Sequence, residues 1–376
     1  MRVSGEGALL DGRIAGPTTV TVEGGRIAEV RPWAPADPTP EGLLLPGLVN
    51  AHTHLELAWA HGRVPGGAGF GPWMASLSAL QAADGPAHAG QVARSLLETG
   101  TAAVVDVCGG PSSLETDALV SAGLGGLVLR EVLGLTPTLQ PALHARASTP
   151  PRRVGRVVER TTPHAVYSMH PALLEAALHA EGLGHPASLH IAEDADHARF
   201  LRDGGGPLAD ALRARGVDLS AWEPPGTDEL THLERLGLAH DVVLVHGVLF
   251  DGGHRRSLVR LGLPLVLCVR SNLHISGRTP DLAGLVADGV QLALGTDSLA
   301  SSPDPDVLGE VQALVGLAPD VPLAVWLHAA TAGGADAFRL PWAGRLEVGR
   351  EPGVLRVHPE RPWEAREWAV RPGGTA

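Results

Sequence analysis

Eight short apolar runs, separated by segments long enough for helices, constrain this chain more than any other feature. They are Leu43-Leu44-Leu45 into Val49, Ala102 to Val105, Gly126 to Leu129, His164 to Tyr167, Ala187 to Ile191, Val242 to His246, Leu265 to Cys268 and Gln291 to Leu294. Helix-length stretches fall between them, such as Ala89 to Glu98, Leu173 to His179 and Leu230 to Leu236. Apolar strands alternating with helices imply parallel pairing, because a crossover helix must return the chain to the same edge of the sheet. Eight such units are the count of a (β/α)8 barrel. The expected fold is therefore α/β, a TIM-type barrel.

The two ends read differently. Thr18 to Val22, the Gly24-Gly25 turn and Arg26 to Val30 form a β-hairpin pattern, followed by a Pro-rich connector from Pro32 to Pro40. After Leu340 the chain turns strand-like again, in Gly344 to Gly349 and Gly353 to Val357. The expectation is a small β-sandwich built from both termini, residues 1–46 with 341–376, beside a barrel of residues 47–340.

Composition narrows the chemistry. All 29 basic residues are arginine. With no lysine, Schiff-base chemistry, pyridoxal-phosphate attachment, a P-loop and a metal pair bridged by carbamylated lysine are all excluded. The net charge of −12 argues against nucleic acid or an anionic membrane as partner, and no apolar run is long enough to span a bilayer. Cys108 and Cys268 stand far apart, so no disulfide framework or thiolate cluster is written here. Met1 to Gly7 lacks the charged-then-apolar order of a signal peptide. A cytoplasmic protein with a small-molecule substrate is expected; the residues leave room for a homodimer without arguing for one.

Metal-competent residues gather where the apolar runs stop. His52 and His54 follow the first strand, the fifth runs into His190, the sixth into His246 and the eighth into Gly295-Thr296-Asp297. In a β/α barrel these C-terminal strand ends share one mouth. Histidines completed by a carboxylate suit zinc or another divalent transition metal and leave a position for water, whereas calcium and magnesium prefer oxygen ligands. Each residue taken singly has a bland account: a strand-end histidine is usually structural, and Asp297 caps a helix ahead of Ser298. Glu193, three residues beyond His190, is either a solvated acid beside Asp194 and Asp196 or a carboxylate leaning into the mouth to move protons. The remaining histidines, His197 among them, have no comparable setting.

Leu45-Pro46-Gly47-Leu48-Val49-Asn50-Ala51-His52-Thr53-His54-Leu55-Glu56 resembles the opening signature of the amidohydrolase superfamily. The likeness continues through Ser188 to Glu193, Leu244 to Gly247, Cys268 to Asn272 and Leu294 to Ser301. It is narrowest to the mononuclear branch of cytosine and adenosine-type deaminases and chlorohydrolases, and within that branch to the aminodeoxyfutalosine deaminases of the menaquinone route. The resemblance implies one divalent metal, zinc first, with iron and manganese accepting the same set. Its ligands would be His52, His54, His190 and Asp297. Glu193 would be the proton shuttle, His246 would orient the attacking water and Asp297 would accept a proton from it. The implied reaction is hydrolytic deamination of a 6-aminopurine nucleoside derivative, with Glu56, Trp59, Arg130, His164 and Arg270 as substrate contacts. For Arg130 and Arg270 a structural ion pair is the alternative.

Val166, Val269 and Met169-His170 depart from the branch's pattern near the pocket, and Glu351-Pro352-Gly353 departs far from it. The substrate therefore stays open to methylthioadenosine or adenosylhomocysteine, or to another C–N or C–halogen bond on a small heterocycle. A metal-binding barrel without turnover is the remaining alternative, and a non-ligating acid such as Glu193 has little purpose in one.

Overall fold

The computed structural model describes all residues except 81–84, 111–112, 137–138, 221 and 374–376. Its centre is a ring of eight parallel strands: β1 (Leu48–Thr53), β2 (Thr101–Cys108), β3 (Gly125–Val132), β4 (Val157–Pro163), β5 (Ala187–Ile191), β6 (Val242–His246), β7 (Leu265–Leu267) and β8 (Leu292–Leu294). β1 to β4 pair in sequence, and so do β5 to β8. Two parallel bridges join these halves, Ala165 with His190 and Thr53 with Asp297. The chain thus has the (β/α)8 architecture, with the seams lying at the strand ends.

Alternation along the strands fills the ring. Val49, Ala51, Ala103, Val105, Leu127, Leu129, Val158, Val243, Val245, Val266 and Ala293 pack together inside it, and Phe338, Leu340 and Ala343 close its floor. The intervening residues, Val104, Cys108 and Val128 among them, face the surrounding helices. Branched and small side chains suit this interior because they fill a narrow ring in well-defined rotamers.

Strands from both ends of the chain make two further sheets. One joins Arg2–Gly5, Thr18–Glu23 and Arg26–Pro32; the other runs Arg366–Val370, Val354–Val357, Leu43–Pro46, Gly7–Leu10 and Arg13–Ala15. Val3, Val20, Val22 and Ile27 of the first pack on Ala8, Leu44, Val354 and Val370 of the second, which is a β-sandwich.

Three expectations need correction. The run from Leu43 to Val49 is not one strand: Leu43–Pro46 pairs with Val354–Val357, and the barrel strand starts at Leu48. The change of layer happens at Gly47, where a Cβ would stand 2.4 Å from the Pro352 carbonyl oxygen, so the close crossing requires glycine. The fourth barrel strand is Val157–Pro163, not His164 to Tyr167, which lies in a turn after it. Arg345 to Val348 forms no strand although it alternates, because no neighbouring strand pairs with it along its length.

Candidate metal centre

The two histidines of β1 reach the mouth through an irregularity. Val49 and Ala51 face the interior, so unbroken alternation would point Thr53 inward and His52 and His54 away. Between Asn50 and Thr53, however, β1 carries one residue more than β2, whose matching positions are Val104 and Asp106. Such a bulge rotates the strand beyond it and re-aims its side chains. The amide of Asn50 then locks β1 to β8: Nδ2 donates to Thr296 Oγ1 at 2.7 Å, and Oδ1 accepts from Thr296 N at 3.2 Å. Thr53 Oγ1 donates to the Asp297 carbonyl at 2.9 Å.

His52, His54 and His190 come together as a set whose ligand atoms all lie within 4.8 Å of one another. His52 Nε2 and His54 Nε2 are 3.2 Å apart, with Asp297 Oδ1 at 3.8 and 3.6 Å from them. Tetrahedral bonds of about 2.0–2.1 Å require ligand atoms about 3.3 Å apart, so this donor set fits a divalent transition metal. The second shell agrees. His190 Nδ1 donates to the His164 carbonyl at 2.9 Å, which leaves its Nε2 lone pair for the centre. Burial, then the neighbouring imidazoles, holds His52 well below its usual pKa and so neutral, the form a ligand needs. Burial pushes the Asp297 carboxyl up, but His54, His246 and Ser271 outweigh it and keep the group ionised. Ser271 Oγ donates to Asp297 Oδ2 at 2.5 Å and Ser298 N to Oδ1 at 2.8 Å.

Glu193 and His246 face each other across the same mouth, His246 Nε2 lying 3.8 Å from Glu193 Oε1. Val243 and Val245 face inward, so alternation alone would turn His246 outward. Its φ of 78° swings it back. Ala192 (φ 49°) and Asp297 (φ 55°) are likewise left-handed, and such non-glycine residues cost about 1–3 kcal/mol each unless their surroundings impose them. The impositions are visible. Glu229 Oε2 accepts from Ala192 N, and Leu249 N donates to the Ala192 carbonyl at 2.9 Å, which fixes the turn between His190 and Glu193. Asn272 Nδ2 donates to His246 Nδ1 at 3.1 Å, so the His246 proton sits on Nε2, toward Glu193. Burial, then Asp297, pushes the Glu193 carboxyl well above its usual range, which favours its protonated form.

The five expected substrate contacts divide. The His164 ring lies 5.0 Å from that of His190, and its Nδ1 donates to Ser168 Oγ at 2.7 Å, which leaves Nε2 as an acceptor. Glu56 Oε1 accepts from Gly109 N at 2.8 Å, at the end of β2. Trp59 lines a cleft of about 430 Å³ with His61, Leu299 and Pro303, and none of the clustered histidines lines it. Arg130 is a correction: Leu127 and Leu129 face inward, so Arg130 faces the helices, where it meets Glu159 at 3.5 Å. Arg270 is held by Glu310 at 2.6 Å and Asp304 at 2.8 Å, a structural ion pair in the wall. The same alternation turns Glu131 inward instead, its Oε1 3.6 Å from His190 Nδ1. That signal was readable beforehand; nothing local in the sequence marks Glu229 or Asn272.

Among the described residues no helix is long and apolar enough to cross a membrane. The amidohydrolase family profile matches residues 43–357. An aminodeoxyfutalosine deaminase of Deinococcus radiodurans is 31% identical over 327 residues, covering 82% of this chain and 77% of the relative. A 5-methylthioadenosine/S-adenosylhomocysteine deaminase of Halobacterium salinarum is 27% identical over 373 residues, covering 92% and 81%. Among solved structures, an adenosine deaminase of Xanthomonas campestris with bound zinc superposes with a TM-score of 0.71 at 22% identity, covering 95% of this chain and 84% of the other. The extent of the profile match and the Deinococcus relative establish that this chain belongs to the amidohydrolase family.

Proposed function

We propose that this protein is a hydrolytic deaminase of a 6-aminopurine nucleoside, aminodeoxyfutalosine-like, that releases ammonia. The observation that carries this reading is Glu193: a buried carboxyl, its pKa raised by burial, beside three converging histidines and 3.8 Å from His246. A carboxyl that adjoins a metal-competent cluster suits proton transfer. His52, His54, His190 and Asp297 are the residues that would hold the metal, with zinc the ion their nitrogen-rich set favours. When bound, such an ion acidifies water and stabilises the charge that develops on the reacting centre. Residues 1–46 with 341–376 are read as a composite β-sandwich domain attached to a barrel of residues 47–340.

The chain's own residues then have distinct tasks. Glu193 gives its proton to a ring nitrogen, which makes the amino-bearing carbon electrophilic. His246 Nε2 and Asp297 orient the attacking water. One proton of this water passes to the departing amine, which leaves as ammonia, and the other returns to Glu193 as the 6-oxo purine forms, so the carboxyl is regenerated. His164, beside His190, is the expected contact to the base.

The test is ammonia release from a panel of aminopurine nucleosides, free aminopurines and aminopyrimidines by the zinc-loaded protein. Methylthioadenosine and adenosylhomocysteine belong in the panel because the Halobacterium relative carries those names. Turnover confined to 6-aminopurine nucleosides is expected, and silence across the panel sinks the deaminase reading. Glu193→Gln is expected to lower kcat by about 10²- to 10⁴-fold with the metal content unchanged. Unchanged activity would remove Glu193 from its role.

A further inference from the structure

The end of the barrel opposite the metal centre holds a second polar cavity. Its volume is about 280 Å³, and Arg153, Arg156, His185, Arg339 and Trp342 line it. The residues come there from the segments that precede the strands. A hairpin strand, Arg152–Val154, runs antiparallel to the beginning of β4, with Arg153 opposite Val158. Opposite residues share a face, and Val158 faces the barrel interior. Arg153 is therefore turned toward the barrel axis, while Arg152 turns outward to Glu159. Arg156 follows in the turn, His185 precedes β5, and Arg339 lies between Phe338 and Leu340, which close the floor.

Positive charge is in excess here. Arg339 pairs with Asp241, and Arg156 shares Glu351 with Arg26. Arg153 is exposed and has no carboxylate partner among the described residues. Behind the lining, the buried Arg160 donates to the carbonyls of Thr161, His185 and Ala180. Five arginines thus share two carboxylates, in a chain whose net charge is −12. Burial lowers the His185 pKa; the bond from its Nδ1 to the Phe338 carbonyl at 2.8 Å opposes this, and Arg153, Arg160 and Arg339 lower it further. The backbone points the same way. Among the described residues seven besides glycine adopt a left-handed φ: Ala192, His246 and Asp297 shape the metal centre, and Leu183, Asp241 and Arg339 belong here. Leu183 and Arg339 line the cavity, and Asp241 holds Arg339. Arg339 follows the helix Gly334–Ala337 at a position that glycine usually fills, where Leu340 N donates to the Ala335 carbonyl at 2.8 Å. Non-glycine residues held in this conformation gather at functional sites.

We propose that this cavity is an anion site for a phosphate group, free or as a monoester, separate from the chemistry at the other end of the barrel. Guanidinium groups line it on two walls, the hairpin and the floor. Tetrahedral phosphate offers oxygens to both, whereas a carboxylate presents one planar edge. The double charge of phosphate also matches the surplus of arginine over carboxylate. Calorimetric titration of the zinc-loaded protein with inorganic phosphate and with ribose 5-phosphate, at ionic strength held constant with sodium chloride, tests the site. Saturable binding is expected, with the melting temperature raised by about 3 °C at 100 times Kd. Tighter binding of ribose 5-phosphate would make the occupant a monoester, and tighter binding of phosphate the free ion; either supports the site. Arg153→Gln is expected to weaken binding about 10-fold or more and to leave the ligand-free melting temperature unchanged, since Arg153 is exposed and unpaired. Arg153→Lys should recover part of the affinity, and Arg213→Gln, at an exposed arginine outside the cavity, should bind as wild type does. The metal-free protein should bind phosphate with the same Kd. No saturable binding of either probe, or affinity that R153Q leaves intact, would overturn the proposal. Binding that disappears with the zinc would place the anion at the metal centre and overturn it as well.

Discussion

Replacing Glu229 with glutamine tests whether the turn that carries Glu193 is held by a buried acid in its neutral form. Glu229 is 4% exposed, accepts from Ala192 N through Oε2, and has no partner for Oε1 among the described residues. Burial raises its pKa from 4.5 to about 7, with the Ala192 hydrogen bond opposing and Asp228 adding to the rise. A shift of about 2.5 units corresponds to about 3 kcal/mol between the two protonation states. The sign follows from linkage. The folded chain binds the proton more tightly than the unfolded one, so the protonated group's contribution is full below about pH 4.5 and is lost as pH rises through about 7. Glutamine keeps an oxygen for Ala192 N and never ionises. The stability of E229Q relative to wild type should therefore grow with pH, from about 1 kcal/mol or less at pH 5 to about 3 kcal/mol at pH 8. Urea unfolding of both proteins, followed by tryptophan fluorescence across that range, measures the difference, in which titrating groups that do not interact with Glu229 cancel. A difference that stays constant, or shrinks as pH rises, would refute the reasoning. Glu229→Ala adds a second arm. It removes the acceptor for Ala192 N, so relative to E229Q it should cost about 1–3 kcal/mol at every pH and lower kcat as the Glu193 turn loosens.

Three further outcomes are expected. Arg270→Ala leaves Glu310, 0% exposed, without its cation and should destabilise the protein by about 3–5 kcal/mol in urea unfolding. Arg213→Ala, in a pair with Asp210 at 3.3 Å that is exposed on both sides, should cost no more than about 1 kcal/mol; similar values for the two would contradict the burial argument. Asn272→Asp replaces a donor to His246 Nδ1 with an acceptor, drawing the proton away from Nε2. It should lower kcat about 10-fold or more with zinc content retained, and an unchanged kcat would detach the tautomer from turnover. Chelation should abolish ammonia release and lower the melting temperature. Zinc at about 1,000 times its Kd should restore about 4 kcal/mol, so a melting temperature indifferent to zinc would count against the site.

Where the barrel is regular, it was legible from the residues alone. β5 and β6 begin and end where their apolar runs do, because every residue in them is buried and no charge interrupts. β4 was missed because it carries Glu159 and Arg160, both buried. Glu159 is matched by Arg152 and Thr116, while Arg160 donates to the carbonyls of Thr161, His185 and Ala180. Apart from the neighbouring Thr161, those partners come from other elements, 7 to 43 residues away, so a window the length of the strand misses them. The tail from Arg345 to Val348 erred in the opposite direction: its alternation is real, but a strand exists only by virtue of its neighbour.

The site follows the same division more sharply. The identities of His52, His54, His190, Glu193, His246 and Asp297 stood out because polar residues end apolar strands. Their directions did not, since His52 and His54 turn inward through an extra residue in β1, and His246 through a left-handed backbone. Where β3 stays regular, the rule that its inward leucines announce selects Glu131 and turns Arg130 away. A convergent site on parallel strands needs several side chains aimed at one point, and strict alternation aims only half of them. The bulge and the positive φ angles are how this chain aims the others. The hydrogen bonds that hold them, from Asn50 to Thr296, from Ala192 to Glu229 and from Asn272 to His246, span tens to hundreds of residues. They become visible only once the ring has closed.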